Sequence, residues 1–228
     1  MTQKSVILKN INFFILFFSV TTLGCWAFAQ DYQLVNHPDG STGITMAVPY
    51  TAGVHEITAN SVAGEAKADL ATQSFVGQFI VPIDSMKSGN GKRDCHMREC
   101  LGLDYSKSKF PGEHVCDNND ALPASGNDGV AFPNVEFDLA GLKGTAGPLT
   151  LTPGKTEQAQ ASGRWTIHGL TKDVVVPATV TTAADGSVEV KIKETLLIAD
   201  FKAVVKPVLG IGVNGDVKVS MDLNLKPK

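Results

Sequence analysis

The feature that most constrains this chain is an apolar residue at every second position, repeated in several stretches of its C-terminal half. The longest stretch, residues 217–225, reads VKVSMDLNL, and shorter ones occur at 135–139, 174–180 and 188–192. Because successive side chains of a strand point to opposite faces, each stretch has one apolar and one polar face. Many such strands joined by short turns predict an antiparallel sandwich or barrel around a single core.

Residues 74–116 contain a segment of a different kind. Its first part alternates as another strand, and the sequence SGNG then ends the alternation. Met97 and Leu101 follow with the four-residue spacing of a helix, and Asp94 is of a residue type that caps helix N-termini. The sequence therefore predicts a helix from Asp94 to Leu103 as the cover of an otherwise β protein, followed by a long polar loop.

The first 29 residues have the pattern of an export signal. Two lysines precede an apolar run at 11–23, and the sequence AFA at 27–29 is a small-x-small cleavage site. We therefore expect residues 1–29 to be a cleaved signal peptide and the protein to be exported to the periplasm. Residues 30–228 then form one domain, of a length typical of a single β-barrel.

A lipoprotein signal is the alternative interpretation of the same region. The sequence TLGC at 22–25 has the glycine expected before a lipidated cysteine, but Thr22 stands where a leucine-like residue is usual. A retained transmembrane anchor is not expected, since the apolar run is short and lies directly before the cleavage site.

The balance of charge argues against nucleic acid as a partner. Without the two lysines of the signal peptide, the chain has 18 basic and 23 acidic residues, a formal net charge of −5. A protein this acidic does not attract nucleic acid or an anionic membrane surface through bulk charge. The sequence also lacks a glycine-rich phosphate loop and a pair of catalytic carboxylates, so we do not expect an enzyme.

Three cysteines remain in the exported chain: Cys95, Cys100 and Cys116. Because export places them in an oxidising compartment, we expect one disulfide and one spare thiol. The preferred bridge joins Cys95 to Cys116 and closes a loop of about 20 residues, which adds about 3 kcal/mol to the free energy of unfolding. A disulfide between Cys100 and Cys116 is the alternative, because the spacing of cysteines along the sequence does not determine which of them pair.

A metal site is a competing interpretation of the same cysteines. Two sulfurs together with His96 and His114 satisfy tetrahedral zinc, but their spacing matches no standard zinc motif and oxidation competes for the thiols. We therefore predict no metal. A cysteine- and histidine-based redox or metal-binding module on a barrel scaffold is the alternative function.

The sequence GRWTIHGLTKDVVVP at 163–177 closely resembles the hairpin signature of the YceI-like family. The sequence FPNVEF at 132–137 is similar to another strand of that family, and IDSMKSG at 83–89 is similar to its strand-to-helix passage. The resemblance covers residues 57–226. Members of the family are exported, lipocalin-like proteins that bind polyisoprenoid or other long-chain lipids.

The resemblance implies an all-β, eight-stranded antiparallel lipocalin-like barrel with a short helical cover, a long loop and an apolar tunnel. The implied function is a periplasmic carrier that sequesters a polyisoprenoid, a quinone tail or a similar lipid, with no other cofactor. Each methylene moved from water into such a tunnel contributes about 0.8 kcal/mol. The inner faces are rich in valine, glycine and alanine, and we expect these small side chains to leave room at the axis. A solid barrel with a structural role is a further alternative.

The expected ligand contacts lie on the apolar strand faces and on the helix. Lys92, Arg93 and Arg98 are candidates for contact with a lipid head group. His168 has no nucleophile in its sequence context, so we expect a hydrogen bond to its own turn rather than a catalytic role. Transient membrane contact and a dimer are both compatible with a carrier. The predicted lining residues are Phe75, Phe79, Met97, Leu101, Val135, Phe137, Trp165, Ile167, Val176 and Val219.

The expected processing can be tested on protein recovered from the periplasm of an expressing cell. Mass spectrometry should find a chain that begins at Gln30 and carries no lipid at its N-terminus, because the AFA site directs cleavage there. A chain that begins at a lipid-modified Cys25 would instead support the lipoprotein signal, and an intact N-terminus would exclude cleavage.

Overall fold

The computed structural model describes residues 29–116, 121–207, 213 and 216–228. Residues 1–28 of the predicted signal peptide, including Cys25, lie outside the described residues. The single α-helix of the described part, α1, spans Gly91–Gly102, and no helix there is long and apolar enough to cross a bilayer. The strands are β1 (Gln30–Val35), β2 (Ile44–Tyr50), β3 (Gly53–Ala59), β4 (Ala63–Asp69), β5 (Ser74–Pro82), β6 (Met86–Lys87), β7 (Asn134–Gly144), β8 (Thr156–Ile167), β9 (Leu170–Thr182), β10 (Val188–Leu196) and β11 (Val217–Pro227).

Eight of these strands close into an antiparallel barrel, which confirms the predicted fold. Hydrogen bonds around the wall give the order β1-β4-β5-β7-β8-β9-β10-β11, and β11 pairs back with β1. Along each long strand, buried positions alternate with more exposed ones. In β8, for example, Ala159, Ala161 and Trp165 are buried while Gln160 and Arg164 between them are exposed. This alternation produces one apolar interior and one polar outer surface.

β2, β3 and β6 form an additional wall at one end of the barrel. β2 pairs with β11 from Lys218 to Met221, whereas β1 pairs with the last residues of β11. β3 pairs with β2 on one side and with β6 on the other, and β6 follows β5 after one 3₁₀ turn. α1 begins shortly after β6, so this additional wall and the helix lie at the same end.

The predicted helix is correct in kind but wrong at its start. α1 begins at Gly91 because Asn90, and not Asp94, is the N-cap: the Asn90 side chain accepts a hydrogen bond from the backbone N–H of Arg93 at 3.1 Å. Asp94 is buried within the first turn, where its carboxylate accepts a hydrogen bond from the backbone N–H of Ser88 at 2.7 Å. It therefore fastens the preceding loop to the helix.

Aromatic rings occupy much of the barrel interior. Phe137 and Trp165 are buried on neighbouring strands with ring centroids 4.8 Å apart. A Cβ atom on Gly163 would lie 2.6 Å from Cζ of Phe137, and one on Gly64 would lie 2.5 Å from Cδ1 of Phe79. These glycines therefore make room for neighbouring rings. The expectation that small inner residues leave the axis open is wrong at these positions.

Gly163→Ala should destabilise the barrel. The new methyl group would meet the Phe137 ring and also the backbone oxygen of Asp138 at 2.7 Å, which cannot move without β7. Overpacking of this kind lowers the free energy of unfolding by about 1–3 kcal/mol. Urea unfolding followed by circular dichroism measures the change.

Gly91→Ala is the matched control, because a Cβ atom at this first helical position meets nothing within 4 Å. It should leave stability unchanged or slightly raised, as alanine is the better helix former. If Gly163→Ala behaved like this control, the interior beside Phe137 would have spare room.

Candidate functional site

A cavity of about 740 Å³ opens between α1, the β2–β3 hairpin and the chain segment before β11. Most of its surface is apolar. Lys92, Arg93 and Lys206 also line it, and we call these three residues the basic rim. The main apolar lining residues are Met46, Val48, Ile57, Met97, Leu101, Ile198 and Val217.

The barrel axis next to this cavity is nearly closed. A second space of about 40 Å³ has room for only a few water molecules. Four residues line both spaces, and we call them the throat: Met46, Leu101, Ile198 and Val217. An open channel along the barrel axis would therefore require the throat side chains to change rotamer.

The structure divides the ten predicted lining residues into three groups. Met97 and Leu101 line the large cavity. Phe75, Phe137 and Val176 are packed in the buried core and line neither space, so the geometry does not support ligand contact for these three. The small axial space is lined by the remaining predicted residues together with Leu101: Phe79, Val135, Trp165, Ile167 and Val219.

Arg93 is the best-oriented cation of the basic rim. Its Nη1 lies 2.8 Å from Nδ1 of His55, and because a guanidinium only donates, His55 accepts this bond as a neutral imidazole. Burial and the charge of Arg93 both lower the pKa of His55. Tyr50 stacks on the His55 ring with centroids 3.7 Å apart. The guanidinium is therefore held by an uncharged partner, and its charge remains available to an anionic group in the cavity.

The other cations differ in their suitability for a head group. None of the ion pairs in the described part of the chain involves Lys92, Arg93 or Lys206. Arg98, in contrast, is buried, does not line the cavity, and places Nε 3.5 Å from Oδ1 of Asp84. Lys92 and Arg93 thus remain head-group candidates, and the prediction for Arg98 is not supported.

Glu99 is the one acidic residue that the described lining contains, and its side chain is fully buried. Nδ1 of His114 lies 2.6 Å from each carboxylate oxygen, and Nδ1 of His96 lies 3.1 Å from Oε2. The backbone N–H groups of Val115 and Cys116 donate to Oε1 at 2.6 and 3.2 Å. Burial raises the pKa of Glu99, but the hydrogen bonds from the two histidines and the backbone outweigh it, so the pKa is lowered.

His96 links α1 to the segment before β11. Its Nε2 lies 3.1 Å from the backbone oxygen of Lys206 and 3.8 Å from Sγ of Cys100. Hydrogen bonds with Cys100 and with Glu99 raise the pKa of His96 to about 10. Its two ring nitrogens face two acceptors, the Glu99 carboxylate and the Lys206 carbonyl.

The loop that carries His114 is held against α1 by a disulfide between Cys95 and Cys116, whose Cα atoms are 6.3 Å apart. This is the pairing preferred from the sequence, and Cys100 is the buried free thiol. Because two of the three cysteines are bonded to each other, the alternative redox or metal-binding module loses the sulfurs on which it depended.

His168 does not bond to its own turn, so that expectation is wrong. Its Nε2 lies 2.8 Å from the backbone oxygen of Leu103, and its Nδ1 lies 3.3 Å from that of Phe201. These partners are distant in sequence, and no local pattern identifies them. The ring connects the β8–β9 turn to the end of α1 and to the turn after β10.

Glu99, Lys206 and the residues of the β2–β3 hairpin are not among the site residues predicted from the sequence. Glu99 has a usable signal, because His96 three residues earlier must share its helix face. Lys206 has none, since its contact with His96 is made by the backbone oxygen. The hairpin residues reach the cavity only because β2 pairs with β11.

The fold and the site together define a closed β-barrel with a small-molecule cavity under a helical cover. Residues 127–225, which include most of β7 to β11, match the sequence profile of the YceI-like domain. This C-terminal part of the chain is therefore YceI-like, and the resemblance found in its sequence is confirmed.

Several solved structures are similar to this fold. BcnA of Burkholderia cenocepacia is 13% identical with a TM-score of 0.53, over 79% of this chain and 95% of that chain. A polyisoprenoid binding domain of Saccharophagus degradans, implicated in plant cell wall breakdown, is 13% identical with a TM-score of 0.55, over 86% and 98%. At this identity the similarity establishes the fold. No curated protein sequence matches the chain.

Glu194→Gln should change how stability depends on pH. Nε1 of Trp165 donates to Oε2 of Glu194 at 2.7 Å, and burial raises the pKa of Glu194 by more than this bond lowers it. Because the pKa of Glu194 is higher in the folded state than in the unfolded state, this carboxyl group raises the free energy of unfolding when it is protonated. Its contribution is fully present below the unfolded-state pKa and is lost as the pH rises through the folded-state pKa. Glutamine keeps an acceptor for Trp165 and cannot ionise.

We therefore expect Glu194→Gln and the wild type to have similar stability at pH 4, and the variant to be the more stable of the two at pH 8. Urea unfolding at both pH values measures this difference, and titrations of all other groups cancel in the comparison. A stability difference that does not grow with pH would contradict the prediction.

Proposed function

We propose that this protein is an exported carrier that binds a long-chain apolar lipid in the periplasm. The lipid chain occupies the 740 Å³ cavity and a polar or anionic head group lies at the basic rim. The observation that carries this proposal is the cavity itself, with its apolar interior next to Arg93. Binding is by sequestration alone, and no bond is made or broken.

The size and surface of the cavity favour a small apolar ligand. Its volume of about 740 Å³ falls within the range of about 300–1,000 Å³ that is typical of small-molecule sites. Burial of ten methylenes there would contribute on the order of 8 kcal/mol before the cost of ordering the chain is subtracted. That is sufficient for firm binding without a covalent anchor.

The throat determines how far a chain can extend towards the barrel axis. The space beyond it is about 40 Å³, too small for a lipid chain as it stands. Met46 is the most adaptable throat residue, because an unbranched thioether side chain rotates easily about three bonds. A chain that fits the cavity is therefore bound without rearrangement, and a longer chain displaces Met46 first.

The comparisons and the charge distribution support a lipid with a head group. The Saccharophagus degradans protein of the same fold is described as a polyisoprenoid binding domain. In an otherwise acidic chain, the basic rim places Lys92 and Arg93 where a phosphate or carboxylate would bind them. We therefore propose an isoprenoid or acyl lipid as the ligand. Membrane contact and dimer formation remain predictions.

Two measurements test lipid binding. Organic extraction of protein purified from the periplasm, followed by mass spectrometry, should recover a long-chain lipid. Delipidated protein should then bind farnesol and farnesyl phosphate, two probes with the same tail and different head groups. Recovery of no lipid together with failure to bind either probe would overturn the proposal.

Met97→Trp should weaken binding of both probes, because Met97 lines the large cavity and the larger side chain takes the place of the ligand chain. Displacement of two methylenes corresponds to about a tenfold loss of affinity. Val175→Trp is the control, since Val175 is 67% exposed on the outer wall. Equal affinity of Met97→Trp and the control would place the ligand outside the cavity.

Arg93→Gln should weaken the binding of farnesyl phosphate and leave the binding of farnesol unaffected, because only the phosphate group interacts with the positive charge of Arg93. Lys143→Gln, a change at an exposed residue of β7, controls for the loss of one positive charge. If both probes weakened equally in Arg93→Gln, Arg93 would shape the cavity rather than bind a head group.

A further inference from the structure

Three side chains in the cavity wall are arranged like ligands of a metal ion. His96 and Glu99 lie one turn apart on α1, and His114 lies on the loop that the disulfide holds against the helix. One ligand atom from each lies within 4.8 Å of the others. A zinc ion with bonds of about 2.0–2.2 Å to nitrogen and oxygen separates its ligand atoms by about 3.3 Å. Small side-chain shifts are therefore enough to admit the ion.

The atom behind His96 favours this use of its imidazole. Both rings direct Nδ1 at Glu99, at 3.1 and 2.6 Å from Oε2. Nε2 of His96 faces the backbone oxygen of Lys206 at 3.1 Å, which fixes the orientation of the ring. Imidazoles that bind metals usually donate their second N–H to a carbonyl or carboxylate in this way.

Glu99 is equally well prepared as a ligand. Its Oε1 accepts hydrogen bonds from the backbone N–H groups of Val115 and Cys116, so the carboxylate cannot rotate freely. The ion pairs of Glu99 in the described structure are with the two histidines, and none is with a lysine or arginine. A fully buried carboxylate balanced only by imidazoles is a position that a divalent cation can occupy.

A second cluster that meets the same distance criterion is already neutralised. His37, Glu189 and Asp222 also lie within 4.8 Å of one another. However, Nζ of Lys191 lies 3.1 Å from Glu189 and 3.2 Å from Asp222, so an ammonium group takes the place of a metal ion.

The third cluster combines Glu99 with Cys95 and Cys116. These two cysteines form the disulfide and therefore present no thiolate. The cluster of two histidines and Glu99 is thus the best candidate in the part of the chain that the structure describes.

We propose that His96, Glu99 and His114 bind one divalent metal ion of the zinc type through two Nδ1 atoms and one carboxylate. Three protein ligands leave one position of a tetrahedral ion open. All three residues line the cavity, so a water molecule or an oxygen atom of a bound ligand completes the coordination from that side. The ion replaces the protons that join the histidines to Glu99 in the metal-free protein. This site goes beyond the proposed lipid binding and does not depend on it.

Equilibrium dialysis of the full mature protein against Zn²⁺, followed by elemental analysis, tests the site directly. We expect one zinc ion per chain, measured on untreated and on delipidated protein. Glu99→Gln should lower the affinity by more than the roughly 10–100-fold loss that follows removal of an outer-shell partner, because a direct ligand is lost. His114→Asn should do the same, and since the His114 side chain is 52% exposed, this variant is expected to fold normally.

Two further variants make the assignment specific. His37→Asn should leave zinc binding unchanged, because it alters the cluster that Lys191 already neutralises. Cys100→Ser should not abolish zinc binding, since the buried thiol lies on the Nε2 side of His96 and is not one of the proposed ligands. Failure of the wild type to bind zinc, or loss of binding in either of these two variants but not in His114→Asn, would overturn the proposal.

Discussion

Closure of the sheet through β11 is the constraint on which the rest of the structure depends. One edge of β11 pairs with β10 from Val217 to Leu225, while the other edge is shared between β2 and β1. Because two different strands complete the wall at the two ends, the interior is not uniform. The end closed by β2 and β3 lies beside α1 and contains the 740 Å³ cavity. Most of the remaining interior is filled by packed side chains.

Polar links join the segments that surround the apolar cavity. The disulfide and the Glu99 carboxylate fasten the loop that carries His114 to α1, and His96 fastens α1 to the segment before β11. These bonds are buried or partly buried, where hydrogen bonds of charged groups are strong and unpaired groups are costly. An apolar chamber next to a rigid polar wall suits a ligand that has a greasy chain and a polar end. The same rigidity makes the histidines and Glu99 suitable for a metal ion.

The fold was largely predictable from the sequence, whereas the packing of side chains inside the barrel was not. Alternation in the long C-terminal strands is a local property of strand geometry, so it survives in any antiparallel sheet that buries one face. The content of the barrel depends on which residues face each other across strands. Gly163 and Gly64 indicate open space when considered one strand at a time, but the rings of Phe137 and Phe79 fill the space beside them. The start of α1 was misplaced for a related reason, since Asn90 and Asp94 are both capping types and only the observed hydrogen bonds distinguish them.

The sequence by itself determined that this chain forms a closed antiparallel barrel with a helical cover, carries a YceI-like signature, and contains cysteines suited to a disulfide. Hydrophobic periodicity, turn residues and the hairpin motif all depend only on residues that are close together in the sequence. Only the tertiary structure decided where the empty volume lies, that Arg93 is partnered by a neutral His55, and that Glu99 gathers two histidines from separate segments. Apart from the His96–Glu99 pair within α1, these features arise from contacts between residues in separate segments of the chain, which local sequence patterns do not reveal.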